Sequence, residues 1–167
     1  MRIMGIDPGY AITGYCILDY ESGRFAVKDY GLVSTSSKSR FPDRLLTIDR
    51  SLSEIIARYK PQVMAIEELF FARNTTTAMG TAQARGVAIV AAARRGLPVF
   101  EYTPMQVKLA VTGYGKAEKS QVQEMVRRIL HLKEIPKPDD VADAVAIAIC
   151  HAHSGNRKEA LAVSGYQ

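Results

Sequence analysis

The stretch MGIDPG, residues 4–9, sets an aspartate at the end of a short apolar run and then turns the chain with Pro-Gly. A strand that ends on a charge constrains the remaining chain, which must either leave that carboxylate in water or surround it with partners. The β-rich pieces RIMGID, TGYCILDY and FAVKDYGLV succeed one another between Arg2 and Ser34, and Glu21-Ser22-Gly23 supplies a hairpin turn, so three antiparallel strands are expected. Leu45, Ile48, Leu52, Ile55, Ile56 and Tyr59 then recur at helical spacing up to a stop at Pro61. A helix there crosses back over the sheet. The next strand, QVMAIEEL, therefore lies parallel to the first and ends on Glu67.

Neighbours on a strand point to opposite faces, so only one of Glu67 and Glu68 shares a side with Asp7. The segment Thr75 to Arg95 is helical by composition and apolar around much of its circumference, which calls for two packing partners. Ala78, Gly80, Ala82 and Gly86 permit close approach of a helix, from the same chain or from a second copy. PVFEYTP reads as the last strand, and SQVQEMVRRIL as a helix with Val122, Met125, Val126, Ile129 and Leu130 on one face. KPDDVADAVAIAICHAH is a final helix started by Pro138 and Asp139. The expected order is β-β-β-α-β-α-β-α-α in a domain spanning 1–154, followed by a flexible tail at 155–167.

At 167 residues and 47% hydrophobic, the chain suits one domain with one site. A net charge of +5 and a pI near 9.3 fit a polyanion partner and, equally, an ordinary basic enzyme. Cys16 and Cys150 have neither CxxC nor Cys/His spacing, which argues against a zinc site or a disulfide framework. GVAIVAAA is closed by Arg94 and Arg95, short of the roughly 18 residues a membrane span needs, and the N-terminus lacks a signal-peptide pattern. A cytoplasmic protein without membrane contact is the expectation.

Each carboxylate alone has a plain structural explanation. Asp7 stands in a turn sequence, Glu67 at a strand end, and Asp139 and Asp140 at a helix N-terminus where acidic residues complement the dipole. Asp143, one turn further, shares a helix face with Asp139 or Asp140. Jointly these explanations fail, because parallel placement puts the Glu67 strand end beside Asp7 and the last helix adds two more aspartates. Like charges so gathered cost stability unless a cation neutralises them. Oxygen ligands without His or Cys suit Mg2+, with Mn2+ as a substitute. Two such ions about 3.5 to 4 Å apart form a clamp for in-line attack on a phosphodiester.

The segments GIDPGYAITGY, AIEELFFARN, QARGVAIVAAA, FEYTPMQVK, GKAEKSQVQEMV and DDVADAVAIA run in this order over nearly the whole chain, and together they resemble the RuvC family of Holliday junction resolvases. The resemblance implies an α/β RNase H-like fold, a central mixed five-stranded sheet flanked by helices. It implies a homodimer that uses Mg2+ to make paired incisions in a four-way DNA junction during recombination and repair, leaving nicked duplexes with 5′-phosphate ends. By the same resemblance Asp7, Glu67, Asp140 and Asp143 are the catalytic, metal-binding carboxylates, while the extra Asp139 and Glu68 leave the ligand set open at its edges. Glu68 is read as outward facing or supporting.

Between Pro104 and Lys137, Lys108, Lys116, Lys119, Arg127, Arg128, Lys133 and Lys137 face only Glu118, Glu124 and Glu134. Lys108 and Lys119 match family positions near the scissile backbone and are expected to contact DNA. Resemblance makes Phe70 the residue that stacks at the junction crossover, with Arg73 and Asn74 as further DNA contacts. RuvA and RuvB branch-migration proteins are the implied partners. Other classes are an actin-like sugar kinase or ATPase, which needs a second lobe this length does not accommodate, an RNase H-like nuclease acting on RNA or hybrids, and a non-catalytic junction-binding module.

Overall fold

Ile3, Met4 and Ile6 are wholly buried, so β1 (Arg2–Asp7) is covered on both faces and runs through the middle of the sheet. It pairs antiparallel with β2 (Ile12–Glu21) and parallel with β4 (Val63–Glu67). Beyond these, β3 (Arg24–Ser34) pairs antiparallel with β2, and β5 (Val99–Tyr102) parallel with β4. The computed structural model describes residues 1–69 and 75–154, and among them the five strands form one mixed sheet in the order β3-β2-β1-β4-β5. The expected DNA contacts Phe70, Arg73 and Asn74 and the tail at 155–167 lie outside the described residues. Glu21 pairs with Arg24 across Ser22 at φ 49° and Gly23 at φ 80°, a two-residue turn with both φ positive that matches the twist of the flanking strands.

Two helices cover one face. In α1 (Phe41–Tyr59), Ile48, Leu52 and Ile56 form the buried stripe, and the helix closes at Lys60 in the left-handed region just before Pro61. Ala84, Ala88, Ala91 and Ala92 of α2 (Thr75–Ala93) join that stripe in a core with Met4, Ile6, Ile17, Met64 and Ile66. On the opposite face α5 (Asp139–Ser154) is buried along almost its whole length, with Ile3, Cys16, Leu18 and Ala65 beneath it. Outside it pack α3 (Pro104–Thr112) and α4 (Lys119–Ile129), the latter through Val122 and Val126.

The helix α3 is absent from the order expected from the sequence. Its start is nevertheless written there: the Gln106 amide donates to the Thr103 hydroxyl at 3.1 Å and the Thr103 amide to the Gln106 side chain at 2.8 Å, a capping box around Pro104. Reading Pro104 as the end of a strand hid that box. Of the small residues of α2, Gly80 lies against the Tyr10 ring of the same chain, while among the described residues nothing lies within 4 Å of a Cβ placed on Gly86. Met79 and Val90 on the same helix are exposed. Finally, His151, in the last turn of α5, is buried in the core: its Nδ1 is 2.7 Å from the Tyr102 hydroxyl, and burial pushes its pKa down to about 4. Cys16 and Cys150 are free and buried.

Candidate active site

Strand parity brings the first two carboxylates together. Ile3 and Gly5 on β1, and Val63 and Ala65 on β4, face α5, and counting on by two puts Asp7 and Glu67 on that same side at the ends of adjacent parallel strands. Two glycines then let the helix in. A Cβ on Gly5 would overlap the Ala144 carbonyl, and one on Gly14, the residue paired with Asp7, would overlap the Asp140 carbonyl. Close approach at Gly14 therefore lays the first turn of α5 across the end of β1. Asp140 and Asp143 arrive beside Asp7 as a consequence.

The electrostatics record this convergence. Burial pushes the Asp7 pKa up to about 8, with Glu67, Asp143 and Asp140 adding to the rise and Lys119 opposing it. Glu67 is raised by burial and then by Asp143, again against Lys119. Burial also raises Asp143, although Lys119 pulls the other way. The side chains of Asp7, Glu67 and Asp140 have no hydrogen-bond or ion-pair partner among the described residues, whereas Lys119 Nζ lies 3.0 Å from Asp143 and 3.3 Å from Asp139. Desolvation works against the Lys119 ammonium, but those two bonds outweigh it and hold its pKa above the ordinary lysine value.

Asp139 is the member of the adjacent pair that turns away. It is exposed and accepts a hydrogen bond of 2.9 Å from Gln123 on α4, which lowers its pKa, with Lys119 assisting. Glu68 is likewise exposed, and its amide donates to the Tyr102 carbonyl at 2.9 Å. Lys108 and Lys119 both line a cleft of about 220 Å³ together with Glu67 and Asp143. The other arginines of the basic stretch are spoken for, since Arg127 and Arg128 each approach Glu124 to 2.7 Å. Sequence reasoning missed Arg85 and Glu101, which form a buried ion pair behind Glu67; the available signal was an arginine in phase with Ala84, Ala88 and Ala92 on the buried stripe of α2.

The family described as crossover junction endodeoxyribonuclease RuvC has a sequence model that matches residues 3–151 of this chain. The chain belongs to the RuvC family. Among its relatives in that family, the RuvC endonuclease of Alkaliphilus oremlandii (strain OhILAs) is 57% identical over 159 residues, 95% of this chain and 97% of that protein. That of Alkaliphilus metalliredigens (strain QYMF) is 58% identical over 156 residues, 93% of this chain and 95% of the relative. In structure, Thermus thermophilus RuvC in complex with a Holliday junction substrate aligns with a TM-score of 0.90 at 37% identity, covering 97% of this chain and 98% of the other. The expected RNase H-like resolvase architecture is therefore the one found.

Proposed function

We propose that this RuvC-family chain resolves four-way DNA junctions as a homodimer, each protomer cutting one strand at the Asp7, Glu67, Asp140 and Asp143 cluster, in DNA recombination and repair in the cytoplasm. The observation that carries the reading is the Asp7 carboxyl, buried among three further carboxylates and pushed up to about 8. Such a group is poised to exchange its proton for a cation. Among the described residues no three His, Cys, Asp or Glu side chains are already drawn together as ligands of one ion, so the fit is one of donor chemistry and charge. All-oxygen donors select a hard divalent cation. Mg2+, with Mn2+ as substitute and two ions per site, would supply charge neutralisation at the scissile phosphate and activation of the attacking water.

The chain's own residues do the rest. Asp7, Glu67, Asp140 and Asp143 gather the negative charge that makes the cleft selective for cations. Lys108 and Lys119 flank it and suit the phosphate backbone, where positive side chains position DNA without reading sequence. Phe70, Arg73 and Asn74 follow directly on the Glu67 strand and are assigned to the junction crossover and its phosphates. Hydrolysis joins a water oxygen to phosphorus and breaks the bond to the 3′ oxygen, which leaves a 5′-phosphate.

A second copy suits the face of α2 that carries exposed Met79 and Val90, and a two-fold dimer with one site per protomer matches an open junction. RuvA and RuvB are the partners that family membership suggests. Among the described residues no helix is long and apolar enough to cross a membrane. The test is a cleavage panel on a four-way junction, a plain duplex and an RNA-DNA hybrid, each with Mg2+ and with chelator. Cutting of the junction alone, lost in chelator, is expected; equal or preferred cutting of the hybrid would make the protein an RNase H-like nuclease of another substrate class.

A further inference from the structure

Arg85 and Glu101 form the most buried ion pair among the described residues, with side chains only 11% and 19% exposed. Burial of two charges is costly, and a buried pair can usually be replaced by apolar residues of similar volume without loss of stability, so its presence calls for a reason besides holding the fold. The reason lies in what else Arg85 touches. Its Nε donates to the backbone carbonyl of Glu67 at 3.2 Å. The β1–β4 ladder makes its last pair at Ile6 and Ile66, so that carbonyl lies past the end of the ladder. Glu101 stands opposite Ile66 on β5 and holds the guanidinium from the edge of the sheet. Arg85 comes from α2, on one face of the sheet, and the Glu67 carboxylate projects toward α5 on the other.

We infer that the Arg85–Glu101 pair positions Glu67: it clamps the last peptide of β4 from behind and so fixes the direction in which the Glu67 carboxylate enters the cleft. This rests on the reading of Glu67 as a ligand at a divalent-cation site. Arg85 is a positioning residue, and it acts on the site through the backbone carbonyl of Glu67. A strand end held on one side alone can swing, and displacements of about 1 Å in a catalytic group cost roughly a hundredfold in rate. Partners behind a metal ligand are worth about 10- to 100-fold in metal affinity or activity.

The test compares the unaltered protein with Arg85→Lys, with the double variant Arg85→Met/Glu101→Leu, and with Asp7→Asn as reference. Melting temperature in chelator reports the fold, and junction affinity in chelator reports the DNA surface. The Mn2+ concentration at half-maximal thermal stabilisation reports the cation site independently of activity. Single-turnover cleavage at saturating junction reports the chemistry. The double variant is expected to keep its melting temperature within a few degrees and its junction affinity, while its Mn2+ midpoint rises about tenfold or more and its saturated rate falls about 10- to 100-fold. Arg85→Lys keeps a charge for Glu101 and decides the matter if the double variant does not fold; the same two shifts are expected from it. A Mn2+ midpoint and saturated rate equal to those of the unaltered protein, with Asp7→Asn inactive, would overturn the positioning role and leave the pair structural. An active Asp7→Asn would overturn the cation-site reading beneath it.

Discussion

Glu124 on α4 sits between Arg127 and Arg128, whose hydrogen bonds drop its pKa to about 2, while Asp7 at the end of β1 is pushed up to about 8 by burial and by Glu67, Asp143 and Asp140. Both carboxylates belong to acidic groups beside the same basic stretch of sequence. They differ in whether the fold supplies a cation. Glu124 receives two guanidinium groups and is finished by them, a surface network that ties one helix to itself. The Asp7 group is buried by α5 and receives one ammonium, from Lys119, shared with the exposed Asp139. Charge that a fold buries and leaves uncompensated marks the place where something from outside is bound.

The largest expected effect breaks the buried side of this comparison. Asp7→Asn or Glu67→Gln removes a carboxylate proposed to hold the cation while keeping shape, and cleavage of a four-way junction should fall by more than about a hundredfold, beyond the usual loss for residues behind a metal ligand. Junction binding should hold or tighten, since neither substitution adds negative charge facing the phosphates; gel shifts and nicking on one preparation check both.

Next comes the pH dependence of the metal-free protein. The folded pKa of Asp7 lies above its unfolded value of about 3.8, so between them the folded state binds a proton that the unfolded state has lost. The stability this contributes is greatest at the acid end and is lost as pH rises through about 8. Melting temperature in chelator should fall between about pH 4 and pH 8, and Asp7→Asn should flatten that limb. Glu124 has the opposite sign. Its depressed pKa gives stability that is present above its unfolded value of 4.5 and lost as pH falls toward about 2, so Glu124→Gln should lower the melting temperature slightly above pH 4.5 and flatten the slope of the acid limb alone.

How much of this could be read beforehand depends on how many elements a feature needs. Asp7 and Glu67 were legible because period-two alternation and a crossover helix are local signals that carry two strand ends to one side. The choice between Asp139 and Asp140 was not legible from the local pattern, since both occupy the first turn of α5, and it came from resemblance; in the structure Gln123 reaches Asp139 from α4. The helix α3 went unread although Thr103, Pro104 and Gln106 spell its start, because the preceding apolar strand claimed the same residues. Arg85 and Glu101 needed helix phase and strand parity taken together: each looks like a solvent-facing charge until α2 is laid on β5. Lys108 came from resemblance; in the structure it lines the cleft beside Glu67, Lys119 and Asp143.

Smaller effects sharpen the contrast between positive groups. Lys108→Ala and Lys119→Ala should each weaken junction binding and lower the salt dependence of affinity by about one unit, if each meets one phosphate. Arg128→Ala, whose guanidinium is already paired with Glu124, should leave that slope unchanged. The smallest expected effect is that of Glu124→Gln on catalysis, with a cleavage rate within about twofold of the unaltered protein, as expected for an exposed network away from the cleft.

The claim that Asp7 holds a proton in place of a cation is tested most directly by calorimetric titration of Mn2+ at pH 7 in two buffers of different ionisation enthalpy, which counts the protons released on binding. Binding to the unaltered protein should release close to one proton per protomer, because the Asp7 carboxyl, with its pKa near 8, is mostly protonated at that pH until the cation displaces the proton. Asp7→Asn should bind more weakly and release far less. Equal affinity in both proteins, with no proton release in either, would contradict it.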